Sequence, residues 1–252
     1  MREAGRRSLG TGAFALVAAA ASLPGAAVAE EWRYNATLYG WLTSLSATVG
    51  TPLGTVEVEQ SFSDVFDQLD YAVFGTFEAR RGTWGLIGDL AHANLSRTES
   101  FLPTAPFGAA RIDTRLTALS GYAVYRIVET GTVGVDVGAG LRYYDLSLRM
   151  GLTGPSLDIR RTDSWADPII GARAVWDIGD GWRGAIALDA GGFGIGNASD
   201  LSWQAVAELE YGFSDRWSVL FGYRHLSIDR PIDGREMKLE LSGPLIGVRA
   251  RF

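Results

Sequence analysis

The chain has 252 residues, of which 47% are hydrophobic and 21% are charged. This composition excludes an intrinsically disordered chain. The 32 glycines follow no Gly-X-Y period, which excludes collagen, and the absence of cysteine excludes disulfides, thiolate metal sites and cysteine nucleophiles. The net charge of −6 and the lack of any basic run argue against nucleic acid as a partner.

The N-terminal segment 1–29 has the pattern of a secretory signal peptide. Arginines stand near its start, an apolar run covers residues 13–23, and a small-x-small cleavage site ends at Ala29. The apolar run is about half of the roughly 20 residues that a transmembrane helix needs. We therefore expect cleavage between Ala29 and Glu30, which leaves one exported domain over residues 30–252.

The exported domain alternates between apolar and polar residues with a period of two, as β-strands do. From Val133 onwards, Val137 and Leu141 fall on one parity, whereas Asp136 and Arg142 fall on the other. A soluble β-sandwich also alternates. A membrane barrel is favoured because the alternating segments exceed the roughly five or six residues of ordinary strands, and because the polar parity holds glycine, alanine, acids and arginine, which suit a confined lumen.

The links between the alternating segments indicate the topology. Four are tight: Arg80-Arg81-Gly82, Glu129-Thr130-Gly131, Gly179-Asp180-Gly181 and Ser214-Asp215-Arg216. Outer-membrane barrels have short periplasmic turns and longer outer loops, so these four links are expected in the periplasm. The predicted strands are 32–45, 70–80, 83–96, 110–127, 132–147, 161–178, 182–194, 201–213, 217–228 and 237–252.

The predicted fold is therefore all-β: a closed, antiparallel, up-and-down transmembrane β-barrel of about ten strands. Residues 46–69 are interpreted as an outer hairpin followed by a helical turn that Ser63-Asp64-Val65-Phe66 could cap. If residues 55–62 cross the membrane instead, eight or twelve strands remain possible. The change of apolar parity around Gly243-Pro244 predicts a β-bulge in the last strand.

Two further patterns favour an outer-membrane barrel. Five tryptophans fall near predicted periplasmic strand ends, as an aromatic girdle would, because indole prefers the membrane interface; they are Trp32, Trp84, Trp176, Trp182 and Trp217. The last strand ends in Phe252, which looks like the terminal signal that the bacterial barrel-insertion machinery recognises.

Several short stretches resemble a family of small proteobacterial outer-membrane β-barrel proteins with porin-like character. They are Trp84–Leu90, Trp165–Arg173, Gly191–Gly194 and Gly222–Arg224. The resemblance implies the barrel fold and a location in the bacterial outer membrane, with lipid, lipopolysaccharide and, during insertion, the barrel-assembly machinery as partners. A monomer is expected. The resemblance implies no catalytic residues.

Charged residues on the inward parity include both signs in similar number. They are Glu78, Asp89, Asp113, Arg115, Asp136, Arg142, Asp167, Arg173, Arg183, Asp189, Glu208, Glu210, Arg224, Arg249 and Arg251. Burying one charge costs several kcal/mol, which an opposite partner offsets, so a salt-bridged polar interior is the first interpretation. The second is a narrow aqueous path whose ion preference these charges set.

Other functions have less support from the sequence. His92 and His225 are the only histidines, and both fall on the lipid-facing or rim parity near outer strand ends. A hydrolase acting on lipid A or peptides would need one of them held against a nucleophile. Loop-mediated adhesion or recognition is a further alternative. No metal-ligand or cofactor spacing is present. The sequence thus predicts an outer-membrane barrel with a structural or passive pore role.

Overall fold

The computed structural model describes residues 31–252 except 52–53, 101–108, 154–156 and 232–233. The predicted signal peptide, with its cleavage site, lies outside the described residues. The elements are β1 Arg33–Trp41, β2 Ser44–Thr51, β3 Gly54–Gln60, α1 Phe62–Asp67, β4 Leu69–Arg81, β5 Trp84–Ser100, β6 Ala109–Glu129, β7 Val133–Thr153, β8 Leu157–Gly179, β9 Trp182–Gly191, β10 Leu201–Gly212, β11 Trp217–Asp229 and β12 Met237–Arg251. Within the described ranges, no helix is long and apolar enough to cross a bilayer.

Ten strands form a closed antiparallel ring. Each strand from β4 to β12 pairs with the next along the chain, and β1 pairs with β4 on one side and β12 on the other. The closing pair runs from Asn35 opposite Arg251 to Trp41 opposite Leu245. The predicted barrel of ten strands is confirmed.

The remaining two strands extend the barrel beyond the ring. β2 continues the line of β1 and pairs with the same neighbouring strand, β12, since Trp41 lies opposite Leu245 and Ser44 lies opposite Ser242. β2 then pairs with β3 in a hairpin, and α1 connects β3 to β4. The hairpin and helical turn predicted for residues 46–69 are therefore present, and this segment adds no strand to the ring.

The helix α1 begins earlier than its predicted cap. Its N-cap is Ser61, not a residue of the 63–66 stretch. The Ser61 hydroxyl accepts a hydrogen bond from the Asp64 N–H at 3.3 Å, and the Asp64 carboxylate accepts one from the Ser61 N–H at 3.0 Å. This capping box satisfies backbone donors that a helix start leaves free. Hydrogen bonding from the Ser61 side chain also lowers the pKa of Asp64.

The predicted bulge at Gly243-Pro244 is wrong. β11 and β12 keep one register from Asp229 opposite Lys238 to Trp217 opposite Ala250. Apolar residues occur on both parities of β12 because the barrel interior is itself apolar at this level. Leu241 and Leu245 are buried inside, whereas Ile246 is 51% exposed on the outer face.

One end of the barrel carries the tight turns, the start of β1 and the end of β12, and is here called the turn end. The opposite end is called the loop end. At the turn end, Tyr34 and Phe252 exchange backbone hydrogen bonds of 2.8 and 3.0 Å. The loop end projects far from it, because β5 to β8 contain 17, 21, 21 and 23 residues. A strand needs only about 9–11 residues to cross a bilayer. These four strands therefore extend well beyond a membrane.

The outer face shows where the bilayer ends. Apolar side chains such as Leu38, Leu141 and Leu188 are 55–70% exposed, as a lipid-facing belt requires. Towards the loop end the belt is followed by a ring of exposed aromatic residues, which are Tyr71, Tyr143, Trp203 and Tyr223. Aromatic rings of this kind mark the membrane–water interface.

The barrel interior has two layers. The half nearer the turn end is filled with charged and hydrogen-bonding side chains. The half nearer the loop end holds an apolar core whose buried members are Trp41, Ala91, Ala118, Tyr144, Trp165, Leu226, Ile228, Met237, Leu241 and Leu245, and Leu220 joins this core from the turn-end side, opposite Glu210. The sequence predicted the charged layer but not the apolar one. The charged layer is called the ionic layer below.

Candidate functional site

The most connected part of the ionic layer joins β4, β6, β7 and β8. Asp136 is 1% exposed and accepts hydrogen bonds from Arg80 at 2.8 Å, Arg126 at 2.5 Å and Arg173 at 2.9 Å. Glu78 accepts two more from Arg173, at 2.9 and 2.8 Å, and one from Arg80 at 3.2 Å. Two carboxylates are therefore shared among three guanidinium groups in a nearly dry site.

A second cluster lies at the middle of the barrel around Arg224, which is 3% exposed. Arg224 donates to Asp89 at 2.8 Å and to the side-chain oxygen of Gln204 at 3.0 Å. Asp89 also accepts hydrogen bonds from the hydroxyls of Tyr39 at 3.0 Å and Thr76 at 3.1 Å. All these partners come from different strands, so the cluster ties the barrel wall together from within.

A third cluster is centred on Arg142, which is fully buried. Arg142 donates to Asp189 at 2.9 Å and to the hydroxyls of Ser120 at 2.8 Å and Tyr122 at 2.5 Å. The amide of Gln204 donates to Asp189 at 3.1 Å, so Gln204 links this cluster to that of Arg224.

The fourth cluster lies nearest the turn end, between β10, β11 and β12. Glu210 is 3% exposed; it accepts a hydrogen bond from Ser218 at 2.7 Å and contacts both Arg249 and Arg251. Arg249 also donates to Glu208 at 3.2 Å. Arginine suits such shared contacts because its planar guanidinium offers several donors at fixed angles.

Ion pairs of these clusters span the lumen. The pair Glu78–Arg173 reaches from β4 to β8, and the pair Asp89–Arg224 reaches from β5 to β11. Between the clusters there is a cavity of about 150 Å³. About 10–15 Å³ of such a cavity is enough for one water molecule, so this space can hold several.

Two of the predicted inward charges lie on the other face. Asp113 and Arg115 share the parity of Leu119, which is 51% exposed on the outer face of β6, and Arg115 is itself exposed. Asp113 pairs there with Arg111 at 2.9 Å. The prediction failed because this part of β6 lies beyond the aromatic ring, where water wets the outer face and a charge no longer indicates the lumen.

Two further predicted residues lie apart from the four clusters. Asp167 is buried, but its partners are the backbone N–H of Ser199 at 2.8 Å and the hydroxyl of Ser202 at 2.7 Å. It therefore fixes the β9–β10 loop. Arg183 lies at the turn-end rim, with its side chain 47% exposed and 4.0 Å from Glu210.

Sequence reasoning missed Arg80 and Arg126, which supply two of the three partners of Asp136. Arg80 was assigned to a turn, although it lies two residues from Glu78 on the same face of β4. Arg126 precedes a register shift between residues 126 and 128. Ser120 faces the interior, and every second residue after it along β6 shares that face. This count leads to Arg126 and could have identified it from the sequence.

Both histidines contact neighbouring side chains on the outer parity of their strands. His92 contacts the hydroxyls of Thr117 at 2.8 Å and Tyr71 at 3.3 Å on the outer face. His225 contacts Trp203, with ring centroids 4.5 Å apart and the ring planes tilted by 34°. Among the described residues, neither histidine has a carboxylate partner.

The structure places the five tryptophans of the predicted girdle at turn-end strand termini. Trp32, Trp84 and Trp217 are 43–59% exposed on the outer face. Trp182 contacts Tyr211, with ring centroids 4.8 Å apart, and Trp176 lies over Gly184 on the neighbouring strand. Indole rings in these positions can reach the headgroup region of a bilayer.

Comparison with known proteins gives the family. Residues 13–252 match the model of the outer membrane protein beta-barrel domain. The chain belongs to this family. The location predicted from the sequence, the bacterial outer membrane, is thereby confirmed. A comparison with curated proteins gives no match.

Two solved outer-membrane proteins illustrate the range of structures similar to this family member. The outer membrane protease OmpT of Escherichia coli has a TM-score of 0.59 at 8% identity, with 88% of this chain and 97% of that chain covered. The attachment invasion locus protein Ail of Yersinia pestis, in complex with a heparin analogue, has a TM-score of 0.41 at 12% identity, with 88% and 99% covered. At such identities the likeness to OmpT shows the fold alone.

Proposed function

We propose that this outer-membrane β-barrel is a structural barrel, closed in its resting state, and not a passive pore. The observation that carries the proposal is the ionic layer, in which Glu78–Arg173 and Asp89–Arg224 pairs cross the lumen. The apolar core stacked on this layer is a second barrier, since Leu226 and Ile228 are at most 1% exposed. A water path would have to cross both layers.

The energetics support a closed state. Breaking a buried ion pair and leaving one partner uncompensated costs about 3–5 kcal/mol. Because each 1.4 kcal/mol corresponds to a factor of ten, one such break reduces the open population by roughly a hundred- to several-thousand-fold. A continuous channel requires more than one break, together with displacement of the apolar core.

The same proposal covers orientation and partners. The turn end lies in the periplasm, because barrels of this class have short periplasmic turns. The exposed apolar belt contacts outer-membrane lipid and lipopolysaccharide, and the protein works as a monomer. Phe252 is 67% exposed at the turn end, where the barrel-assembly machinery can reach it during insertion.

The test is ion flux through the purified protein in lipid vesicles. We expect no flux above that of protein-free vesicles, while protease added outside cleaves loops but spares the membrane-spanning strands, which verifies insertion. A steady flux that Asp136→Ala or Arg142→Ala alters in ion preference would establish a pore and overturn the proposal.

A further inference from the structure

The loop end of the barrel contains a large cavity above the apolar core, called the outer cup here. Its volume is about 990 Å³, and its wall is formed by β2, β3, β5 to β8 and the segment around the start of β12. Cavities that bind small molecules measure about 300–1,000 Å³. The outer cup is therefore large enough for a ligand of substantial size, and it lies beyond the aromatic ring, outside the bilayer.

Much of the wall of the outer cup is apolar. Its aliphatic members include Leu45, Val58, Leu95, Leu146, Leu148 and Leu239. Val58 and Leu148 are each 39% exposed although they lie on this extramembrane part of the barrel. Exposed apolar side chains gathered in a concave surface are typical of a site that a ligand covers.

The charges of the outer cup are unbalanced. Its lining contains six cationic residues, Arg97, Arg160, Arg161, Arg230, Arg235 and Lys238, but only two acids, Asp163 and Glu236. Arg160 and Arg235 are exposed and have no carboxylate partner among the described residues. In the ionic layer, by contrast, each guanidinium contacts a carboxylate. Lys238 is paired with Glu240 at 2.7 Å and Arg230 with Asp163 at 2.9 Å, so the positive charge offered to an anion is that of the exposed Arg160 and Arg235.

Arg230 is the buried arginine in the wall of the outer cup. It is 7% exposed and is held by Asp163 at 2.9 Å and by the Asn197 carbonyl at 3.1 Å. Its guanidinium lies over the ring of Trp165, 4.4 Å from the centroid. Its buried Nε–H has no hydrogen-bond partner among the described atoms. Asp163 already neutralises this guanidinium, so Arg230 fixes the wall of the cup and leaves anion binding to the exposed arginines.

We propose that the outer cup binds an anionic amphiphile, a molecule with one carboxylate or phosphate headgroup and a hydrocarbon body. The headgroup lies against the exposed Arg235 and Arg160, beside the buried Arg230–Asp163 pair, and the hydrocarbon covers the leucines of β7. Charge-assisted hydrogen bonds fix the headgroup, while burial of the hydrocarbon supplies the remaining affinity. This proposal does not depend on the closed lumen, because the cup lies above both interior layers.

The experiment measures binding to the full protein in detergent-free lipid nanodiscs by calorimetry, with empty nanodiscs as the blank. The probes are decanoate, decyl phosphate and decanol, which share a chain length and differ in the headgroup. We expect saturable binding of both acids and at least about tenfold weaker binding of decanol, as the loss of a charge-assisted hydrogen bond predicts. The stronger of the two acids identifies the headgroup, a free carboxylate or a phosphate.

Variants test the site. Arg235→Gln and Arg160→Gln change exposed side chains and should each weaken acid binding by about tenfold or more without affecting folding. Arg115→Gln is the matched control, because Arg115 lies on the outer face of the same extramembrane wall. Absence of saturable acid binding, equal binding of decanol, or an equal loss in Arg115→Gln would each overturn the proposal. Ion flux through the same nanodisc-purified protein, measured in vesicles, tests the closed lumen separately.

Discussion

Replacing Asp136 by asparagine is the sharpest test of the ionic layer. The substitution keeps the shape of the side chain but removes the charge that Arg80, Arg126 and Arg173 share. Glu78 remains as the acid for Arg80 and Arg173. Arg126 keeps only an exposed contact of 3.7 Å with Glu129. Asp136→Asn therefore leaves a buried guanidinium without a close counter-charge.

The expected magnitude follows from burial. Removing one partner of a buried ion pair costs about 3–5 kcal/mol, whereas an exposed pair is worth about 0–1 kcal/mol. The matched control is Asp113→Asn on the outer face, since the Asp113 and Arg111 side chains are 30% and 60% exposed. We expect Asp136→Asn to lower the free energy of unfolding by about 3–5 kcal/mol and Asp113→Asn by at most about 1 kcal/mol.

The assay is equilibrium urea unfolding in lipid vesicles, followed by tryptophan fluorescence, with the free energy obtained by linear extrapolation. The double variant Asp136→Asn/Arg126→Met should recover part of the loss, because it also removes the uncompensated cation. If Asp136→Asn and Asp113→Asn lose the same stability, the ionic layer does not stabilise the barrel and the reasoning is refuted.

Three further substitutions test other parts of the fold by the same unfolding assay. An added Cβ at Gly140 would lie 1.9 Å from the carbonyl oxygen of Gly121, whereas Gly121 has open space, so Gly140→Ala should cost at least about 1–3 kcal/mol and Gly121→Ala much less. Leu226 is 1% exposed in the apolar core, so Leu226→Ala should cost about 2–5 kcal/mol. Ser61→Ala removes the helix cap and should weaken α1 by about 0.5–2 kcal/mol, seen as faster proteolysis of residues 61–68 without loss of the barrel.

The strands were predictable because the period of two persists along each of them. In β7 the fully buried Asp136 and the 39% exposed Val137 lie on opposite faces, as their parity predicted. The alternation identifies faces only where one side meets lipid, however. Arg115 lies beyond the bilayer, where both faces can be polar, and its predicted direction was wrong for that reason.

The apolar core inside the barrel could not be predicted from the same pattern. Trp41 and Leu220 are buried in the interior, yet an apolar residue on a barrel strand is first interpreted as lipid-facing. The two faces of β11 both contain apolar residues here, and the contrast that fixes parity disappears. Only the register between neighbouring strands shows which face of β11 points into the barrel.

The same residue type thus has two distinct environments in this barrel. In the ionic layer, Arg142 and Arg224 contact carboxylates and hydroxyls from several strands, which leaves little capacity for a ligand. In the outer cup, Arg160 and Arg235 are exposed and unpaired among the described residues. A guanidinium that is already neutralised stabilises the fold, whereas one that is not can bind an anion. The partners of each arginine, more than its presence, therefore separate the structural half of this barrel from the half that can recognise a ligand.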